Sequence, residues 1–370
     1  MITKLVLFVK ILGIFITKNM PIFTYIIKER MENHMDKYQK ILGGLLAAAV
    51  ADAMGAATET RTTEQIKEKF NGLVKDFVSP PNDVFAKDFP KGSVTDDFSL
   101  AYETAKEIVR NKGVVDYEVA KNALINWSKT PYYSLAGPTT VATVNKMIGK
   151  DVPTNNNFLS YDSSKGTDGG AMKISPVGII SNGDISKAIK DAITICMPTH
   201  FNSTALSGAT AIAAACSEAM NEKATINSII EAGLKGAYIG EEFAKKNGKD
   251  LANPSVFKRI KLAVEIGKKY KGDDEKAMKE LADVIGSGIL ASEAVPCAFG
   301  ILAASDGDTR KAIFMGVNIG GDTDTVATMA AAMSGIYEGY YDEKKMHLID
   351  EINSYNLSSL ARKINEVING

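Results

Sequence analysis

From Met35 onward the apolar residues recur at helical spacing, and sustained apolar–polar alternation is nearly absent. That periodicity calls for helices and leaves a sheet nothing to be built from, so the fold class is all-α. In KYQKILGGLLAAAVADAMGAA, helix formers carry an apolar face at i, i+3, i+4. DDFSLAYETAKEIVRNKG puts Leu100, Ala101, Ala105, Ile108 and Val109 on one face and stops at Gly113. STALSGATAIAAACSEAMNE is so rich in small residues that its helix can approach a neighbour closely. Further helical segments follow, several ending in glycine, and an amphipathic stretch runs from about Glu343 to Ile368. Two stretches, 72–92 and 153–170, read as long loops, which in helical domains often carry the binding surface. No repeat, charge block or Gly/Ser linker marks an internal boundary, so residues 35–370 are expected to form one domain.

Composition narrows the chemistry. The 43 basic and 44 acidic residues leave a net charge of −1, with no basic excess for nucleic acid and no acidic tail for a basic partner. The three cysteines, Cys196, Cys216 and Cys297, stand far apart in apolar runs, which reads as reduced core thiols in a cytoplasmic protein. With only three histidines, a metal would be held by oxygen ligands. Residues 1–34 form an apolar N-terminal extension interrupted by Lys10, Lys18 and Pro21, unlike the ~20 unbroken apolar residues of a spanning helix. It carries no evident signal-cleavage site, and Met31 or Met35 offers a clean alternative start. An over-extended start, or a poorly packed appendage, fits better than a membrane anchor.

Two segments place paired aspartates at the mouth of a helix: Asp96 and Asp97 after Thr95, and Asp322 and Asp324, each followed by a threonine, after a glycine pair. For either segment alone, capping and a favourable interaction with the helix dipole suffice. Together they raise another reading. Four carboxylates brought close would repel and resist desolvation unless cations compensate, and hard divalent ions suit carboxylate and hydroxyl oxygens. Two magnesium ions roughly 3.5–4 Å apart would suit such a shared site, and the glycines before Asp322 would let the backbone approach a ligand.

Five motifs, GGLLAAAVADAMGAATE, VTDDFSLAYE, GTDGGAMKISPVGI, THFNSTALSGA and NIGGDTDTVATMAAAMSGIYEG, occur in this order. In them the chain resembles the ADP-ribosylglycohydrolase family, which includes enzymes releasing ADP-ribose from modified proteins as well as the J1-type crystallins. The resemblance spans roughly residues 38–341. It implies a compact orthogonal bundle of helices with a binuclear magnesium centre in a cleft, manganese being the alternative ion. Thr95, Asp96 and Asp97 match one set of family metal ligands, and Asp322, Asp324 and Thr325 the other, with Asp324 bridging. Glu59 matches an acidic residue beside the metals, so Asp97 or Glu59 is the candidate general base. The implied reaction is hydrolysis at the anomeric carbon of a ribose, through a transition state of oxocarbenium character. Its partner would be an ADP-ribosylated protein or an ADP-ribose-containing small molecule.

The resemblance also makes GTDGGAMK the ligand loop, with Asp168, Gly169, Gly170 and Lys173 as binding residues and glycine amides able to approach phosphates. His200 matches a family position near the ligand, and Phe158 and Tyr161 are candidates to stack on a base. Asp168 stands where asparagine is common and Lys173 where arginine is common. Lysine lacks arginine's planar bidentate grip, which leaves the substrate more open than the fold. A hydrolase of another ribosyl N-glycoside and a non-catalytic relative of crystallin type are the rival readings. GSGILA at Gly286 imitates a dinucleotide fingerprint but follows a helical segment with no βαβ pattern, so helix packing explains it better. Trp127 is expected in the core.

Overall fold

Glycines set the distances in this fold. The helix Lys37–Gly55 runs antiparallel to Thr323–Glu338 with the two backbones in contact. A Cβ on Gly43 would lie 2.5 Å from the Gly335 carbonyl oxygen, and one on Gly55 would overlap the Cα of Asp324. Any side chain at Gly55 would therefore push away the backbone that carries Asp324. A second pair, Ser203–Ala219 and Ile226–Asn247, packs just as closely: a Cβ on Gly240 would sit 2.6 Å from the Leu206 carbonyl oxygen. This is the close approach expected from the small residues of the first of these helices.

The computed structural model describes residues 35–150 and 161–370, and Lys37–Gly370 form one compact unit. Among the described residues there are sixteen α-helices, two short 3-10 turns and no strand, only three isolated bridges. The all-α expectation is met. No described helix is long and apolar enough to cross a membrane. The expectation for residues 1–34 lies outside the described residues, as does Phe158.

The core behaves as the sequence requires. Leu100, Ala101, Ala105 and Ile108 are buried along Asp96–Arg110. Trp127 is fully buried, its indole N–H donating to Ser99 Oγ at 2.8 Å, as a buried indole needs. The three cysteines are buried free thiols. Two expectations need correction. The C-terminal stretch is two helices, Glu343–Asn353 and Leu357–Asn369, because Ser354 turns left-handed (φ 54°) and Asn356 caps the second by accepting from Ser359 N–H. Residues 286–290 of GSGILA are not packed helix but part of the link between Asp274–Val284 and Ala291–Ser305, and only its final Ala291 enters the second helix.

Candidate active site

The Asp96–Arg110 helix begins with an incomplete cap of its own. Thr95 accepts from Asp97 N–H at 3.3 Å through its hydroxyl, and that hydroxyl donates to Asp97 Oδ2 at 3.2 Å. In a capping box the side chain three residues on would reach back to the Thr95 amide, but that position is Phe98. Asp52, from the last turn of the Lys37–Gly55 helix, supplies the missing acceptor. Its carboxylate takes the Thr95 N–H at 3.0 Å and the Phe98 N–H at 2.9 Å. The first-turn aspartates are thereby freed from capping the third amide, and Asp97 Oδ1 is buried without a partner.

The second mouth departs further from the capping explanation. Asp322 stands at the N-cap of Thr323–Glu338, yet its side chain makes no capping bond. The backbone is held from outside instead. Gly320 and Gly321 take positive φ (91° and 75°), Gly321 N–H donates to Arg61 C=O, and Asp322 N–H donates to Ser287 C=O at 2.7 Å. Thr323 turns away, bonding the Gly55 carbonyl at 3.0 Å. Asp322 and Asp324 are left facing the same space.

That space is a cavity of about 490 Å³, within the range of small-molecule sites. Both helix mouths open into it: Glu59, Thr95, Asp96, Asp97, Asp168, Asp322, Asp324 and Thr325 all line it. Glu59, Asp322 and Asp324 each offer an oxygen within 4.8 Å of the others. Burial first, and the charge of Asp324 next, push Glu59 up to about 10 and Asp96 up to about 7, and hold Asp97 well above the carboxylate range. Burial is also the largest cause of the upward shifts of Asp168, Asp322 and Asp324. The charge of Asp168 adds to the upward shift of Asp322. Six carboxyls line this one cavity, with orphaned oxygens on Asp97 and Asp168, and such a cluster repels itself unless positive charge compensates.

The ligand-loop residues separate. Thr167, Asp168, Gly169 and His200 line the cavity, whereas Lys173 and Gly170 lie behind the wall. Lys173 is 1% exposed, and its Nζ bonds Thr199 Oγ1 at 3.3 Å. The glycine pair seats the histidine ring: a Cβ on Gly169 would be 2.8 Å from His200 Nε2, and one on Gly170 would be 3.1 Å from Cys196 Sγ. His200 is buried and its pKa falls to about 3, mainly by burial and secondarily through Lys173. Tyr161 is largely exposed and does not line the cavity.

Several residues of this region escaped the sequence reading. Asp52 had a signal, a lone acid in an alanine-rich apolar helix. The 72–92 loop contributes Phe85 and Ala86 to the cavity, and residues 134–140 form more of the wall. The 286–290 link proves to be a strap: Ser287 C=O holds Asp322, and Ile289 C=O accepts from Asp168 N–H at 3.0 Å. One short segment thus tethers the acidic mouth and the ligand loop.

The family model described as ADP-ribosylglycohydrolase matches residues 33–368. The chain is 28% identical over 332 residues to the uncharacterized protein YegU of Escherichia coli K12, covering 88% of this chain and 96% of that one. It is 25% identical over 297 residues to an uncharacterized protein of Archaeoglobus fulgidus (80% and 87% covered). With the ADP-ribosylhydrolase ARH3 of Bos taurus the identity is 24% over 316 residues (80% and 84% covered).

Proposed function

The chain belongs to the ADP-ribosylglycohydrolase family, and on that premise we propose that it is a magnesium-dependent hydrolase that cleaves the ribosyl glycosidic bond of an ADP-ribosylated protein or small molecule, releasing ADP-ribose. The observation that carries this reading is the convergence of both acidic helix mouths on one cavity, which Thr167, Gly169 and His200 also line.

Thr95, Asp96 and Asp97 on one side and Asp322, Asp324 and Thr325 on the other would hold two magnesium ions. Bound magnesium supplies positive charge that offsets these carboxylates and polarises ribose oxygens. Asp97 is buried with one free oxygen, which suits holding an ion. Glu59 is only partly buried and sits beside Asp322 and Asp324, so water can reach it. Once bound cations offset the burial and neighbouring carboxylate charge that keep Glu59 protonated, Glu59 is the better candidate to take a proton from the attacking water, and Asp97 the better ligand. The acidic residues would hold the reacting ribose carbon near Glu59, and the apolar side chains of Phe85, Leu135 and Ile289 in the same lining would limit the water around it.

One observation keeps a second reading alive. No lysine or arginine lines the cavity among the described residues, so a diphosphate would rest on hydroxyl and amide donors alone. A ribosyl N-glycoside without phosphate would ask less of that wall. A panel separates the two: ADP-ribosyl-arginine, ADP-ribosyl-serine peptide, O-acetyl-ADP-ribose and simple nucleosides, each with magnesium or with EDTA. Magnesium-dependent release of ADP-ribose supports the first reading, and release of free base alone moves the function to nucleoside-type metabolites.

A further inference from the structure

From behind the cavity wall to its surface, four side chains form one hydrogen-bonded line. Lys173 Nζ lies 3.3 Å from Thr199 Oγ1, which lies 2.7 Å from His200 Nδ1. His200 Nε2 lies 3.2 Å from Thr167 Oγ1, at the cavity surface. We propose that Lys173 and Thr199 are positioning residues that fix His200 as its Nε2–H tautomer, so that Thr167 presents its own hydroxyl hydrogen to an acceptor oxygen of the substrate.

The direction of the line follows from its buried end. Burial lowers the Lys173 pKa while the charge of Asp96 works to keep its proton, and as an ammonium it only donates, so Lys173 donates to Thr199. Thr199 then has its own hydrogen to give, and His200 Nδ1 is the acceptor beside it. A neutral imidazole whose Nδ1 accepts carries its proton on Nε2. His200 is neutral through the physiological range, since burial brings its pKa down to about 3. Nε2–H therefore donates to Thr167, which keeps a hydrogen that no described residue accepts. Gly169 leaves the room the ring needs at this place, because a Cβ there would lie 2.8 Å from Nε2.

The consequence is selectivity. In a cavity whose wall has no cationic side chain, a hydroxyl held as a donor favours a phosphate or ether oxygen and disfavours another donor. Lys173 would thus act on substrate choice without touching the substrate. The nature of the acceptor rests on the proposed function; the tautomer does not.

The chain's three histidines, His34, His200 and His347, make a direct test feasible by 15N–1H correlation of the imidazole rings in the ligand-free protein. The expected spectrum shows His200 as the Nε2–H tautomer from pH 5 to 8. An Nδ1–H tautomer, or averaging of the two, overturns the proposal without any variant. Thr199→Val should shift His200 toward the other tautomer, and an unchanged spectrum would count against the relay. With magnesium present, Thr167→Val should weaken ADP-ribose binding by about tenfold, the loss of one hydrogen bond to a charged acceptor, and Thr167→Ser should restore it. Wild-type affinity in Thr167→Val would remove Thr167 as the donor. Wild-type protein that binds no ADP-ribose would overturn the functional reading, and the spectrum would still decide the relay.

Discussion

Asp52 shows how much of this site depends on a residue that does not line it. Its carboxylate holds the Thr95 and Phe98 amides, so Asp52→Asn should loosen the turn that presents Asp96 and Asp97. Magnesium affinity is expected to fall by about 10–100-fold, the usual effect of removing an outer partner of a metal ligand, as read by calorimetry. Glu59→Gln should behave differently. The activity found in the substrate panel should drop by about 100–10,000-fold, the range for a lost general base, while magnesium affinity changes far less. Equal losses in both would make Glu59 a ligand rather than a base. The Asp-x-Asp and Thr-Asp-Asp patterns were legible because several carboxylates next to glycine and threonine exceed what capping requires. Asp52 left only the mark of a lone acid in an alanine-rich helix, and Thr167 left none. Each acts through a backbone amide or a neighbouring ring from a distant segment, and spacing within one segment carries no trace of that.

Among the elements, the helix pair Lys37–Gly55 and Thr323–Glu338 sets the position of Asp324. Gly55→Val would force a branched side chain into the Asp324 backbone and should cost about 1–3 kcal/mol, typical of overpacking. The expected signature is a lowered melting temperature together with lost magnesium stabilisation. A lowered melting temperature with the magnesium response intact would uncouple the packing from the site. Helix periodicity and glycine stops made the long helices readable in advance. The break at Ser354 was hidden, because the residues on both sides keep an amphipathic pattern and only the left-handed turn interrupts it. The strap at 286–290 was hidden for a related reason. Its work is done by main-chain carbonyls, which every residue possesses.

For the whole molecule, the acidic cavity links folding stability to pH and to magnesium. Asp96 and Glu59 have folded pKa values raised to about 7 and about 10, above the unfolded values near ~4. The folded state therefore binds more protons than the unfolded state in that window. Stability contributed by the protonated forms is complete below ~4 and is lost as pH rises, through about 7 for Asp96 and on toward about 10 for Glu59. Metal-free protein in EDTA should accordingly show a falling melting temperature from pH 5 to 8. Saturating magnesium should raise the curve most at the alkaline end. A melting temperature that climbs over this range in EDTA would mean the carboxyls are not burdened as their burial implies.

The central claim is that two helix mouths, more than two hundred residues apart in the chain, build one metal centre. Calorimetric titration of magnesium into wild-type protein, Asp96→Asn and Asp324→Asn tests it most directly. The expected result is two ions bound by the wild type and a severe loss of binding in both variants. Binding that survives unchanged in either variant, or a wild type that takes up no magnesium, would contradict it.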